Sequence, residues 1–419
     1  MTARTLPEPG PVLTLAERDR RWNGLRALMR ERKIDTIVAG SFNGRERLES
    51  YLIDDFLDSV VVLPLDRDAI VLTFSASRLS RTFESERRGI PLWVHDYRLV
   101  GGGAATATVI REVTPAGGRV GIVGLGPTAP GEMEGLLPYG FHRHLTEALG
   151  NIELVDFTQA FTDFMLVKSD EELALLKFAA RVSEEASQAM LDACVRGANE
   201  ATVYAAIMSE IYRWGCETRY PNMSLQSGRD NIGWGAPRWA LRAEPPRALQ
   251  TGDVVQAEIH TMYGGQESQV QMSVALDPID DVLSTCAEIA RRAYEAGVAA
   301  VRPGVTFASV VHAMEEPLRA GGAWSKTPLL HTLTFGATGF TPINREQLAG
   351  TREERTEGKI TAGIRRGDLI LQPGMTLELE PNACIGVQRV NIGGAVLVTA
   401  NGAEELNDVP TRMRRATGW

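Results

Sequence analysis

The chain has 419 residues, 44% hydrophobic and 23% charged, which is enough apolar material for two or three cored domains and too much for a disordered chain. Its net charge of −9 disfavours a general nucleic-acid or anionic-membrane binder, since both surfaces repel an acidic protein, and favours small-molecule chemistry. Cys194, Cys216, Cys286 and Cys384 lie far apart with no CxxC or Cys/His spacing, which predicts four reduced thiols rather than a disulfide framework or a zinc site.

The opening MTARTLPEPGPVLTLAERDRRWNGL has no apolar signal-peptide core, and no later apolar run approaches the ~18 residues that a bilayer span needs. A cytoplasmic protein is expected. In LAERDRRWNGLRALMRERKIDTIVAG, Trp22, Leu25, Leu28 and Met29 recur at helical spacing before the short apolar run TIVAG, which predicts helix and then buried strand. SVVVLPLD with DAIVLTF predicts a hairpin. GRVGIVGL, the helical GFHRHLTEALG and IELVDFT continue an α/β alternation to about residue 160. The glycine-rich VGGGAATAT and GIVGLGPTAPG lack the GxGxxG-helix arrangement of a dinucleotide site and predict turns.

A second pattern starts at FMLVKSDEELALLKFAARVSEEA, where Ser169 can cap a helix that carries Glu172 at its third position. This divides the chain into an N-terminal α/β domain, 1–165, and a second domain, 166–419. Within the second part, Met208, Arg213 and Gly215 repeat as Met314, Arg319 and Gly321, so two αβ halves related by pseudo-symmetry are expected. The strand DVVQAEIH alternates Val254, Gln256, Glu258 and His260 against Val255, Ala257 and Ile259. After the turn at TMYGG, SQVQMSV returns with Gln269, Gln271 and Ser273 on one face. One face of this hairpin is therefore unusually polar, as either a solvated surface or a site.

These segments resemble the creatinase, prolidase and aminopeptidase P family. The resemblance covers most of the chain: RDRRWNGLRALMRERKIDTIVA, MLVKSDEELALLKFAARVSEEA, LQSG, LQTGDVV, AVLVT, NGAEEL and, most specifically, LQPGMTLELEP. It implies an α/β N-terminal domain, an α+β pita-bread catalytic domain with a curved antiparallel sheet, and a homodimer. In metal-dependent members two Asp, one His and two Glu hold a pair of divalent ions. By resemblance those positions fall on Glu258, Gln269, Phe335, Glu380 and Gly393, so only two carboxylates remain and no catalytic metal or other cofactor is expected. His260 stands where the family has Gly, and His331 matches the first histidine of the HxxGH region. Creatinase is the family's metal-free precedent, but its catalytic histidine has no counterpart in SGRDNIGWGAPRW.

The expected catalytic residues are Glu380, Glu258, His260 and His331. Paired Glu258 and Glu380 would push their pKa values apart, and either histidine could carry the proton. Gln269, Gln271, Trp234, Tyr263, Arg389 and Asn391 are the expected substrate-binding residues, with Asn382 a further hydrogen-bonding candidate. The expected activity is metal-independent attack on a small polar amino-acid-like, amidine or amide substrate, chiefly C–N hydrolysis. A silent binding protein, a metal-dependent Xaa-Pro peptidase and a lyase or rearrangement enzyme are the alternatives.

Overall fold

The computed structural model describes residues 10–42, 47–127, 135–218, 223–334, 336–340, 363–408 and 410–419. Contacts divide the chain into Val12–Met165 and a unit that contains Leu166–Trp419. In the first, Thr14 caps the helix Leu15–Arg32 by accepting from Ala16 N, and Lys33 closes it in the left-handed conformation. The strand Thr36–Gly40 follows and is buried at all five positions, as its uninterrupted apolar run requires. It pairs antiparallel with Ser59–Pro64 and parallel with Arg119–Ile122 in a six-stranded sheet. The expected hairpin is Ser59–Pro64 with Ile70–Thr73. The turn expected across VGGGAATAT extends only through Gly102, because Gly103 opens the helix Gly103–Val113.

In the second unit Ser169 Oγ accepts from Glu172 N (3.1 Å) while Glu172 Oε2 accepts from Ser169 N (3.0 Å), a complete capping box at the head of Asp170–Ala193. That helix and Glu200–Arg213 precede the strands Ser224–Gly228, Val254–Tyr263 and Gln266–Ala275; Asp281–Ala300 and Phe307–Ala320 precede the remaining strands. The repeat is therefore real at the level of helix pairs followed by strands. Its register differs by one residue from the Met/Arg/Gly match. The N-caps Asn199 and Thr306, and the positive-φ glycines Gly215 and Gly322, are each 107 apart, whereas Met208 and Met314 are 106 apart. Helix ends, which the backbone must satisfy, carry the equivalence; the side-chain match is offset from it.

The main path of the ten-stranded sheet runs in the order Gly363–Arg365, Thr338–Phe340, Leu330–Thr332, Thr376–Leu379, Gly393–Thr399, Gln266–Ala275, Val254–Tyr263, Ser224–Gly228 with antiparallel neighbours, while Gly402–Glu405 joins Gly393–Thr399 antiparallel and Arg414–Arg415 joins Gln266–Ala275 parallel. A three-stranded sheet joins Trp324–Ser325, Asn382–Ile385 and Gln388–Asn391. Alternation decides what each face does. Val255, Ala257 and Ile259 pack on Phe178, Val182 and Ile207 of the first helix pair, and Leu377, Leu379 and Val396 pack with Ile289, Val310 and Met314 of the second. The polar positions in between are driven to the opposite face.

Candidate active site

Glu258, His260, Gln269 and Gln271 share that opposite face because Val254–Tyr263 and Gln266–Ala275 pair without a slip, from Val254↔Ala275 to Tyr263↔Gln266. The turn holds this register with Gly264 and Gly265, both at positive φ (54° and 77°), the geometry of a tight two-residue hairpin loop. Glu258 then stands opposite Gln271 and His260 opposite Gln269. The next strand sets Gly393 beside Gln271, Thr376–Leu379 sets Glu378 beside Ala395, and Leu330–Thr332 sets His331 beside Glu378. Glu380 follows Glu378 by two residues. Segments more than 100 residues apart in sequence thus converge on one polar row, and every member of it is buried.

The centre of the row is an amide between two carboxylates. Gln271 Nε2 donates to Glu258 Oε1 (2.9 Å) and to Glu380 Oε2 (3.0 Å). Its Oε1 accepts from Asn391 Nδ2 (2.7 Å), which fixes the amide's orientation. Gly393 makes this reach possible. A Cβ there would lie 2.2 Å from Leu379 O, 2.8 Å from Gln271 Cγ and 2.9 Å from Glu380 Cα, so any larger residue would separate the two.

Histidines flank the carboxylates. His260 Nδ1 is 2.9 Å from Glu267 Oε1, and its Nε2 is 3.6 Å from Glu258 Oε2, which also accepts from Ser224 Oγ (3.0 Å). His331 Nδ1 donates to Thr332 O (3.0 Å), because a carbonyl can only accept, leaving Nε2 to face Gln269 Oε1 (3.2 Å) and Glu380 Oε1 (3.4 Å). Gln269 spends its own amide on Glu267 Oε1 (3.0 Å). The Glu380–His331 contact can therefore hold a proton shared between Nε2 and a carboxylate oxygen.

Burial alone would raise the Glu258 pKa, but the His260 hydrogen bond and charge, reinforced by Gln271 and Glu380, outweigh it and hold Glu258 ionised. Glu378 goes the other way. Burial, then the charge of Glu258, push its carboxyl well above the usual range, against a smaller opposing pull from Gln271. Neither Glu378 oxygen has a hydrogen-bond partner in bonding geometry. Opposite pKa shifts thus fall on Glu258 and on Glu378, whose burial leaves it nothing to stabilise a charge.

Glu258, His260, Gln269, Gln271, His331, Glu380 and Asn391 come together as the sequence led us to expect. Arg389 is buried at the neighbouring three-stranded sheet, where Nη1 donates to Asn382 Oδ1 (3.4 Å). One expectation is corrected. Tyr263 falls on the odd-numbered face and packs on Phe178 with ring centroids 4.5 Å apart, away from the polar row. Trp234 is 52% exposed on a loop. Sequence reasoning missed Glu378 and Glu267 as members of the site, though both were visible as alternating positions beside residues it chose. Phe335 lies outside the described residues.

The donor set does not fit two divalent cations. A bridging site needs carboxylates converging on the ions, and here an amide N–H lies between Glu258 and Glu380 and would repel them. Gly393 offers no donor and no room for one. Among the described residues no three His, Cys, Asp or Glu side chains are arranged to hold a metal ion.

The Metallopeptidase family M24 model matches residues 174–400. Creatinase of Bacillus sp. (strain B-0618) is 24% identical over 96% of this chain and 92% of its own length. The Xaa-Pro dipeptidase of Pyrococcus horikoshii is 21% identical over 65% of this chain and 72% of its own. Among solved structures, the prolidase of Pyrococcus horikoshii OT3 superposes with a TM-score of 0.71 at 16% identity, covering 93% of this chain and 99% of the prolidase. Dipeptidase PepE of Mycobacterium ulcerans gives 0.68 at 21% identity, covering 96% and 99%. The structural likeness establishes the pita-bread fold, and the family match over more than half of the sequence shows that the chain belongs to metallopeptidase family M24.

Proposed function

We propose that this protein is a metal-independent hydrolase of a C–N bond in a small polar, amino-acid-like substrate of the amidine or amide type. The observation that carries the reading is the Gln271 amide between Glu258 and Glu380, with His331 against Glu380. Glu258 is too strongly held in its ionised form to be a good proton acceptor, and its task is to stabilise positive charge on an amidinium-like group. Glu380 with His331 moves the proton: it is taken from the attacking water as the C–O bond forms and returned to nitrogen as the C–N bond breaks. Glu378, kept neutral, adds a hydrogen-bond donor to the same row. The relatives' names, creatinase and Xaa-Pro dipeptidase, describe enzymes that act on such bonds. We infer a cytoplasmic homodimer, from the family resemblance and from four cysteines that are all free and buried.

The test is an amine- and ammonia-release screen over N-carbamoyl, N-guanidino and N-acyl amino acids, run after exhaustive chelation with metal content measured on the same sample. Turnover at substoichiometric metal is expected, with ¹⁸O from labelled water in the product. Unlabelled product would make the enzyme a lyase. Activity on Xaa-Pro peptides that returns only on adding divalent metal would overturn the metal-free reading.

A further inference from the structure

The three-stranded sheet carries a second polar group that the Glu258–Glu380 chemistry does not use. Its register, Trp324↔Cys384 and Cys384↔Arg389, lines up Trp324, Cys384 and Arg389 on one face, with Asn382 opposite Asn391 in the next row. Arg389 is 2% exposed, yet its guanidinium has no carboxylate partner among the described residues. Its contacts are two long ones to neutral oxygens, Nε to Asn231 O and Nη1 to Asn382 Oδ1, both 3.4 Å. Trp324 Nε1 and Asn382 Nδ2 are buried donors without acceptors. Asn391 Oδ1, across from Asn382, is a buried acceptor without a donor, so Asn382 has a neighbour to turn to and the unbalanced charge rests with Arg389. Ile232 packs with Trp324 and Cys384, enclosing the face.

A buried cation without a counter-charge, in the same row as a buried unpaired N–H, is costly, and native interiors rarely keep such groups without a use. Burial lowers the Arg389 pKa to about 10 while Cys384 and then Glu258 oppose the fall, so it remains cationic at neutral pH. The row is continuous with the active site, because Asn391 Nδ2 donates to Gln271, whose amide holds both glutamates.

We propose that Arg389 and the Trp324 indole N–H form a carboxylate subsite, so that the substrate carries a carboxylate at one end and its reacting C–N group at the other. A guanidinium fork matches a planar carboxylate, and the indole supplies a further donor. The proposal rests on reading the Glu258–Glu380 cluster as the substrate site, and its test separates the two. N-acetylglycine, N-carbamoylglycine and guanidinoacetate are titrated calorimetrically into the full-length protein beside their neutral primary amides. At least one acid should bind about 30-fold more tightly than its amide, as expected for a charge-assisted hydrogen-bonded pair. Arg389→Met should erase that preference while the melting temperature holds or rises, since it removes an unpaired buried charge. Should Arg389→Met fail to fold, Trp324→Phe is read in its place; it should weaken the acid several-fold and leave the amide unchanged. Acids binding no better than amides, or a preference that survives in the folded variant, overturns the subsite. Acid preference retained in Glu380→Gln, with no member of the panel turned over by the wild type, would sink the hydrolase reading and leave the subsite standing.

Discussion

Glu378 shows what burial does to a single carboxyl group. Its oxygens lack partners and its pKa is raised, so the folded state holds a proton that the unfolded chain releases above its ordinary pKa of 4.5. A raised acid contributes stability below the unfolded pKa and loses it as pH rises. Glu378→Gln should therefore melt higher than the wild type at pH 8, with the difference shrinking toward zero near pH 4; a constant difference across that range would contradict the shift. Glu258 has the opposite sign, and its stabilisation should fade as pH falls below about 4.5, toward its lowered folded value. At Glu380, substitution by Gln keeps the shape and removes the proton carrier, and turnover should fall on the order of 10² to 10⁴-fold with the fold intact by circular dichroism. Glu380 could be chosen from the motif LELEP and Glu378 shares its face by alternation, but nothing in the sequence says that His331 and Ala395 will flank Glu378 or that its oxygens will lack partners.

Elements carry the next set of consequences. The hairpin's alternation was fully legible, and with it the common face of Glu258, His260, Gln269 and Gln271, because a two-residue period leaves no freedom once the strand is recognised. It also assigns Tyr263 to the wrong face for substrate binding, a result that counting from Glu258 would have given. Gly393 illustrates a position where composition misleads. As a missing ligand it looks like a loss, but its lack of a Cβ is what brings Gln271 within 3.0 Å of Glu380. Gly393→Ala should cost about 1–3 kcal/mol in urea denaturation, because Leu379 O is backbone and cannot move aside cheaply, and should lower activity as well. An unaffected midpoint would show that the strand shifts freely. The Ser169 capping box was equally plain in sequence, and Ser169→Ala should cost about 1 kcal/mol by the same measurement.

At the scale of the whole molecule, all four cysteines are buried and free, and burial pushes each thiol up to about 12. A thiol-specific chromogenic reagent should find none in the native protein and four after denaturation; a fast-reacting native thiol would mean that one of these sites opens readily. The proposed homodimer should sediment at twice the mass of one chain. Among the described residues no helix is long and apolar enough to cross a membrane. Composition, hydrophobic period and the ordered motifs were sufficient by themselves to determine the α/β N-terminal region and the helix pairs followed by strands, because each is a property of neighbours along the chain; the candidate site residues needed the family resemblance as well. Only the tertiary structure decided that Gln271 lies between two glutamates, that the pKa of Glu378 is pushed up while that of Glu258 is held down, and that Arg389 has no carboxylate partner among the described residues. Those facts depend on side chains brought together from distant strands and on the water excluded around them, and no local pattern encodes either.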